Sequence, residues 1–129
     1  MVLYKKFRII SFVLVMIVWS LAGCSGVSSY RNVTAEEAKK LMEASPELVI
    51  IDVRTPYEYQ QGHIKGSLLI PVAELPKHLE KLDPEQKILL VCATGSRSAA
   101  AARMLAEKGY KKVYNLSQGL ARWPYGLER

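Results

Sequence analysis

The chain has 129 residues, with 18 Lys and Arg against 12 Asp and Glu, a net charge of +6 and 50% apolar residues. That length excludes two ordinary domains. The positive balance does not point to nucleic acid, because no basic stripe interleaved with aromatic residues runs through the sequence.

The first segment is set apart from the rest. Lys5, Lys6 and Arg8 form a positive n-region, Ile9 to Leu21 is an almost unbroken apolar run, and Leu21-Ala22-Gly23 supplies small residues before Cys24. The pattern predicts a signal peptide over residues 1–23. A bilayer-spanning helix needs about 20 apolar residues, more than this run offers, and a short uncleaved anchor is the alternative. The tetrad Leu21-Ala22-Gly23-Cys24 resembles the lipobox of bacterial lipoproteins. The resemblance implies cleavage before Cys24, lipid on the Cys24 thiol, and a membrane-anchored protein facing the periplasm or the cell exterior. Residues 24–32 then form a lipidated N-terminus and tether, with Ser25 to Tyr30 small and polar, and 33–129 the folded domain. From Cys24 onward, 15 of the 18 cations face all 12 carboxylates, so the net charge falls to +3. If Cys24 carries lipid, Cys92 is the only free thiol, and no internal disulfide can form.

Thr34-Ala35-Glu36-Glu37 reads as a capping box, opening a helix that runs to about Glu43 with Ala38, Leu41 and Met42 on one face. Ala44-Ser45-Pro46 ends it. Leu48 to Val53 is apolar apart from Asp52 and predicts a buried parallel strand, with Asp52 and Arg54 at its carboxyl end. Thr55-Pro56-Tyr57-Glu58 is a second capping box with proline at the first helical position, so Pro56 to Gln61 is a short helix closed by Gly62. A brief strand over Ser67 to Ile70 follows. Leu75, Leu79 and Leu82 have helical spacing within Val72 to Leu82, and Asp83-Pro84-Glu85 turns the chain into a strand over Lys87 to Val91. After the loop that begins at Cys92, Ser98 to Lys108 reads as a helix ended by Gly109. Val113 to Leu116 is a last strand, and Gly119 to Trp123 a final helical turn. Strands alternating with helices in short units predict an α/β fold with a mostly parallel central sheet and helices on both faces. Ligands of such sheets bind at the carboxyl ends of the strands, where Asp52, Arg54 and Cys92 all fall.

Cys92 is the candidate nucleophile. A strand, tight loop and helix in succession direct backbone amides and the positive end of a helix toward one point, and such an environment lowers a thiol's pKa into the range where thiolate forms. Ala93, Thr94 and Gly95 are small enough for the backbone to curl around the sulfur. Ser96 or Ser98 can cap the next helix, and Arg97 can close the cradle. The competing expectation is an inert cysteine buried at a strand end. Asp52, Arg54 and Glu58 are expected to form a structural ion-pair network under the loop, with Arg54 as a pocket-lining residue the alternative. His63 sits in a turn and His78 among charged residues. Neither stands at metal-binding spacing, so no metal is expected, and a thiolate mechanism calls for no cofactor.

Asp52-Val53-Arg54, Pro56-Tyr57-Glu58-Tyr59, Gly62-His63-Ile64-Lys65-Gly66-Ser67 with Ile70-Pro71, Cys92-Ala93-Thr94-Gly95-Ser96-Arg97-Ser98, Gly109-Tyr110, and Asn115-Leu116 leading to Gly119 and Trp123 together resemble a single-domain rhodanese, in order from about Val33 to Trp123. The resemblance implies a rhodanese-like fold and a sulfurtransferase. Its Cys92 takes the outer sulfur of a donor, thiosulfate or a persulfide, holds it as a persulfide and passes it to a thiophilic acceptor. Arg97 would be the loop cation, and Ala93, Thr94, Gly95, Ser96 and Ser98 would line the binding loop. Donor and acceptor are small molecules or proteins. Related cell-cycle phosphatases have one more residue between cysteine and arginine, so the span Cys92 to Arg97 favours sulfur over phosphate. The other reading of the same resemblance is a non-catalytic carrier module that receives sulfur from a partner protein.

Overall fold

A computed structural model describes residues 29–129, so the signal segment and Cys24 lie outside the described residues. Among the described residues no helix is long and apolar enough to cross a membrane.

Five strands form one parallel sheet: β1 (Arg31–Val33), β2 (Val49–Asp52), β3 (Leu68–Leu69), β4 (Lys87–Val91) and β5 (Lys112–Leu116), in the order β1-β5-β4-β2-β3. The helices are α1 (Ala35–Ala44), α2 (Pro56–Gln61), α3 (Leu75–His78) and α4 (Ser96–Glu107), with 3-10 turns at Leu79–Lys81 and Leu120–Arg122. The continuous apolar runs of β2 and β4 are explained by burial on both faces. Ile51, Val53, Ile88, Leu90 and Cys92 pack on one side with Leu75, Leu79, Ala101, Ala102 and Leu105 of the α3 and α4 layer. Ile50, Leu89, Val91 and Leu116 pack on the other with Ala38 of α1 and Leu120. The expected architecture, helices on both faces of a parallel sheet, is the one observed.

Both capping boxes form. The Thr34 hydroxyl accepts from the Glu37 amide while Glu37 accepts from the Thr34 amide at 2.9 Å, and Thr55 and Glu58 repeat the exchange. Three boundaries differ from the sequence expectation for identifiable reasons. Arg31 and Asn32, expected in the tether of residues 24–32, belong to β1, because their backbone pairs in register with Tyr114 and Asn115 of β5. The helix expected over Val72 to Leu82 shrinks to α3 and a 3-10 turn. Pro76 has no N–H and clashes with a carbonyl four residues back, which restricts it to a first turn, here at the start of α3. Finally, α4 begins at Ser96 rather than Ser98, because Gly95 at φ +92° takes the N-cap position.

Sheet order places the carboxyl end of β4 at the centre of one edge. It is flanked by the end of β2, which carries Asp52, and the end of β5, which carries Asn115 and Leu116. Each neighbouring strand end therefore contributes to whatever β4 presents.

Candidate active site

Cys92 directly follows β4 and is fully buried. Its Sγ accepts from the Gly95 amide at 3.1 Å, the Ser98 hydroxyl at 3.3 Å and the Ser98 amide at 3.4 Å. Burial alone pushes the thiol toward its protonated form. The hydrogen bonds from the Ser98 hydroxyl and from the Ser98, Thr94 and Gly95 amides outweigh it, so the Cys92 pKa falls below the ordinary cysteine value. The Ser98 amide is one of the first-turn donors of α4 that have no partner within the helix. Gly95 has no side chain to satisfy it, and the Cys92 sulfur accepts its hydrogen bond instead. Ser98, expected as a possible helix cap, thus serves as a double donor to sulfur.

The loop is pinned from below and from the side. Gly95 packs so tightly that a Cβ there would lie 2.2 Å from the Ser117 carbonyl oxygen. The Leu120 and Ala121 amides donate to the Cys92 and Ala93 carbonyls, each at 2.9 Å. Gly119, at φ +61°, brings this segment so close that a Cβ would lie 2.4 Å from the Ala93 carbonyl carbon. Asn115, buried at the end of β5, donates to Asn32 at 2.8 Å and to the Gly95 carbonyl at 3.4 Å. The Thr94 and Ser96 hydroxyls are exposed and 3.4 Å apart on the outer side of the loop, and Ala93 is half-buried.

The expected network of Asp52, Arg54 and Glu58 separates into two pairs. Arg54 donates from Nε and its terminal nitrogen to the Asp52 carboxylate at 2.7 to 3.0 Å, and to the Gly62 carbonyl at 2.7 Å, all of it buried. This bonding ties β2 to the end of α2. Glu58 does not join it. Its carboxylate receives both terminal nitrogens of Arg97, at 2.9 and 2.7 Å, so the loop cation forks onto α2 instead of turning to Sγ. The Arg97 fork, helped by the Thr55 amide, holds the Glu58 carboxyl down to about 2. Glu58 in turn raises the Arg97 pKa, so both groups stay charged through the working pH range.

His63 stacks on Tyr59 at 3.8 Å between ring centroids, and its backbone bridges Glu128. These contacts tie the turn after α2 to the C-terminal segment. His78 is half-buried at the end of α3, less solvated than its charged neighbours suggested. The contributions absent from the sequence reading are Gly119, Leu120 and Ala121 as a buttress, and Glu58 as the partner of Arg97. The parallel-sheet rule was the available signal, since segments leaving β5 and β2 at their carboxyl ends must border the loop leaving β4.

A parallel α/β domain presenting a thiolate-stabilising cysteine loop on its central strand matches a known class. The model of the rhodanese-like domain matches residues 34–124, and the chain belongs to that family. It is 35% identical to the thiosulfate sulfurtransferase GlpE of Coxiella burnetii over 94 residues, 73% of this chain and 87% of the relative. It is also 35% identical over 96 residues to the putative sulfur carrier protein YrkF of Bacillus subtilis, covering 74% of this chain but only 52% of that longer relative. Among solved structures it superposes on a rhodanese-like domain protein of Staphylococcus aureus with a TM-score of 0.70 at 32% identity, covering 76% of this chain and 96% of that one. The human single domain sulfurtransferase TSTD1 gives a TM-score of 0.67 at 27% identity over 74% and 96% of the two chains.

Proposed function

We propose that the protein is a sulfurtransferase in which Cys92 carries the transferred sulfur. The observation that carries this reading is the set of three hydrogen-bond donors converging on a buried Sγ, an arrangement that stabilises negative charge on sulfur. In the first half-reaction the Cys92 thiolate attacks the outer sulfur of the donor. The S–S bond of the donor breaks, and the leaving group departs with its electron pair. The persulfide left on Cys92 keeps its inner sulfur among the Gly95 and Ser98 donors. In the second half-reaction a thiophilic acceptor, cyanide or a thiol, attacks the outer sulfur and returns Cys92 to the thiolate. One covalent intermediate shared by two half-reactions gives ping-pong kinetics. Arg97 acts at one remove, fixing the loop against Glu58 on α2.

Thiosulfate treatment of the full chain should add about 32 Da, one sulfur atom, to Cys92, and cyanide should remove it with release of thiocyanate. The Cys92→Ala variant should do neither. An accessible Cys92 that gains no sulfur would refute the proposal. The 35% identity to a putative sulfur carrier protein supports a second reading, in which Cys92 is loaded by a partner protein. Loading without multiple turnover is its signature.

Membrane attachment through lipid on Cys24, with the domain outside the cytoplasm, is part of the same proposal and rests on the Leu21-Ala22-Gly23-Cys24 tetrad. A fatty-acid label should enter the wild-type chain. Equal labelling of a Cys24→Ala variant would rule the attachment out.

A further inference from the structure

Two ion pairs border the Cys92 loop, Arg54 with Asp52 and Arg97 with Glu58. Arg97 is the only cation within the loop from Cys92 to Ser98, and both of its terminal nitrogens are committed to one carboxylate. The groups that donate to the sulfur are the Gly95 and Ser98 amides and the Ser98 hydroxyl, all of them uncharged. When Cys92 is a thiolate, the two pairs and the sulfur sum to one net negative charge. A dianionic donor therefore meets like charge with the loop guanidinium already paired, whereas a donor that carries one negative charge or none is repelled less.

We propose that Glu58 sets the donor selectivity of the site. By occupying Arg97, it makes Cys92 select a persulfide carried on a thiol, R–S–SH, over the dianion thiosulfate. The inference rests on the reading that Cys92 accepts sulfur. With the favoured donor, the Cys92 thiolate bonds to the terminal sulfur, the R–S bond to that sulfur breaks, and RS⁻ leaves with the electron pair. The product is Cys92–S–SH, and no oxidant or reductant is consumed. Glu58 touches neither reacting atom and acts as a specificity-determining residue through Arg97.

The test is the concentration dependence of the rate at which Cys92 gains one sulfur, read by intact mass on the full chain in detergent, with cysteine persulfide and thiosulfate as separate donors. The wild type should load faster from cysteine persulfide. Glu58→Gln retains a side chain able to serve the capping box but removes the charge that neutralises Arg97. It should shift the ratio of the two rate constants toward thiosulfate by about tenfold, chiefly through a lower half-saturating thiosulfate concentration. Thr55→Ala weakens the same helix cap and leaves the Glu58–Arg97 pair charged, so its donor ratio should match the wild type. A Glu58→Gln ratio within twofold of the wild type would overturn the proposal, as would an equal shift in Thr55→Ala. If neither donor loads the wild type, the sulfur-transfer reading fails and the selectivity assignment fails with it.

Discussion

At the scale of single residues, the reactivity of Cys92 depends on one side chain that is not acidic, basic or metal-binding. The Ser98 hydroxyl is the largest of the contributions that favour the thiolate against burial. Ser98→Ala removes that donor and keeps the Gly95 and Ser98 amides in place. The Cys92 ionisation midpoint should move upward, and alkylation by iodoacetamide near pH 7 should slow by roughly three- to tenfold, the scale of one hydrogen bond to a charged group. At a pH above both midpoints, the two proteins should react alike. Equal rates across the whole profile would show that the hydroxyl does not tune the thiol.

At the scale of elements, the loop keeps its shape because three segments from different parts of the chain close on it. Gly119 makes one of these joins, with a left-handed φ and no room for a Cβ against the Ala93 backbone. Gly119→Ala should therefore cost about 2–4 kcal/mol in denaturant unfolding and displace the loop, with loss of sulfur loading. Gly109 also has a positive φ, but nothing lies within 4 Å of its virtual Cβ, so Gly109→Ala should cost only about 1–2 kcal/mol and leave loading intact. Similar effects of the two substitutions would contradict the buttress. The contrast also marks what could be read from sequence. Capping boxes, apolar runs and the Cys92 loop are local signals, and they placed Thr34, Thr55, β2 and β4 correctly and set Cys92 at the end of β4. The buttress by Gly119 to Ala121 and the Glu58–Arg97 bond join residues that are distant in sequence. Their partners become visible only once strand order sets β5 and β2 beside β4. The β1 strand was hidden for the same reason: Arg31-Asn32-Val33 has no strand signature of its own and is ordered by pairing with β5.

At the scale of the whole molecule, the Glu58–Arg97 bond links α2 to α4 across 39 residues, so its loss is felt in global unfolding. The sign of its pH dependence follows from the Glu58 carboxyl, whose pKa is lowered on folding from the ordinary 4.5 to about 2. The folded state thus binds the proton less readily than the unfolded chain. The stabilisation is fully present above about pH 4.5 and is lost as the pH falls toward 2. Its size is about 1–2 kcal/mol after solvent screening, because the two side chains remain 30% and 37% exposed. Glu36, Glu37 and Glu47 are also held below the ordinary carboxylate range, but on open surface, and they add the same sign in both wild type and variant. Urea unfolding of the wild type should thus be nearly flat from pH 7 to about 5 and weaken steadily below that. Glu58→Gln should start lower by about 1–2 kcal/mol at pH 7 and converge on the wild-type curve near pH 2, where Glu58 is half protonated. Curves that stay parallel down to that pH would show that the ionised carboxylate is not what holds α2 to α4.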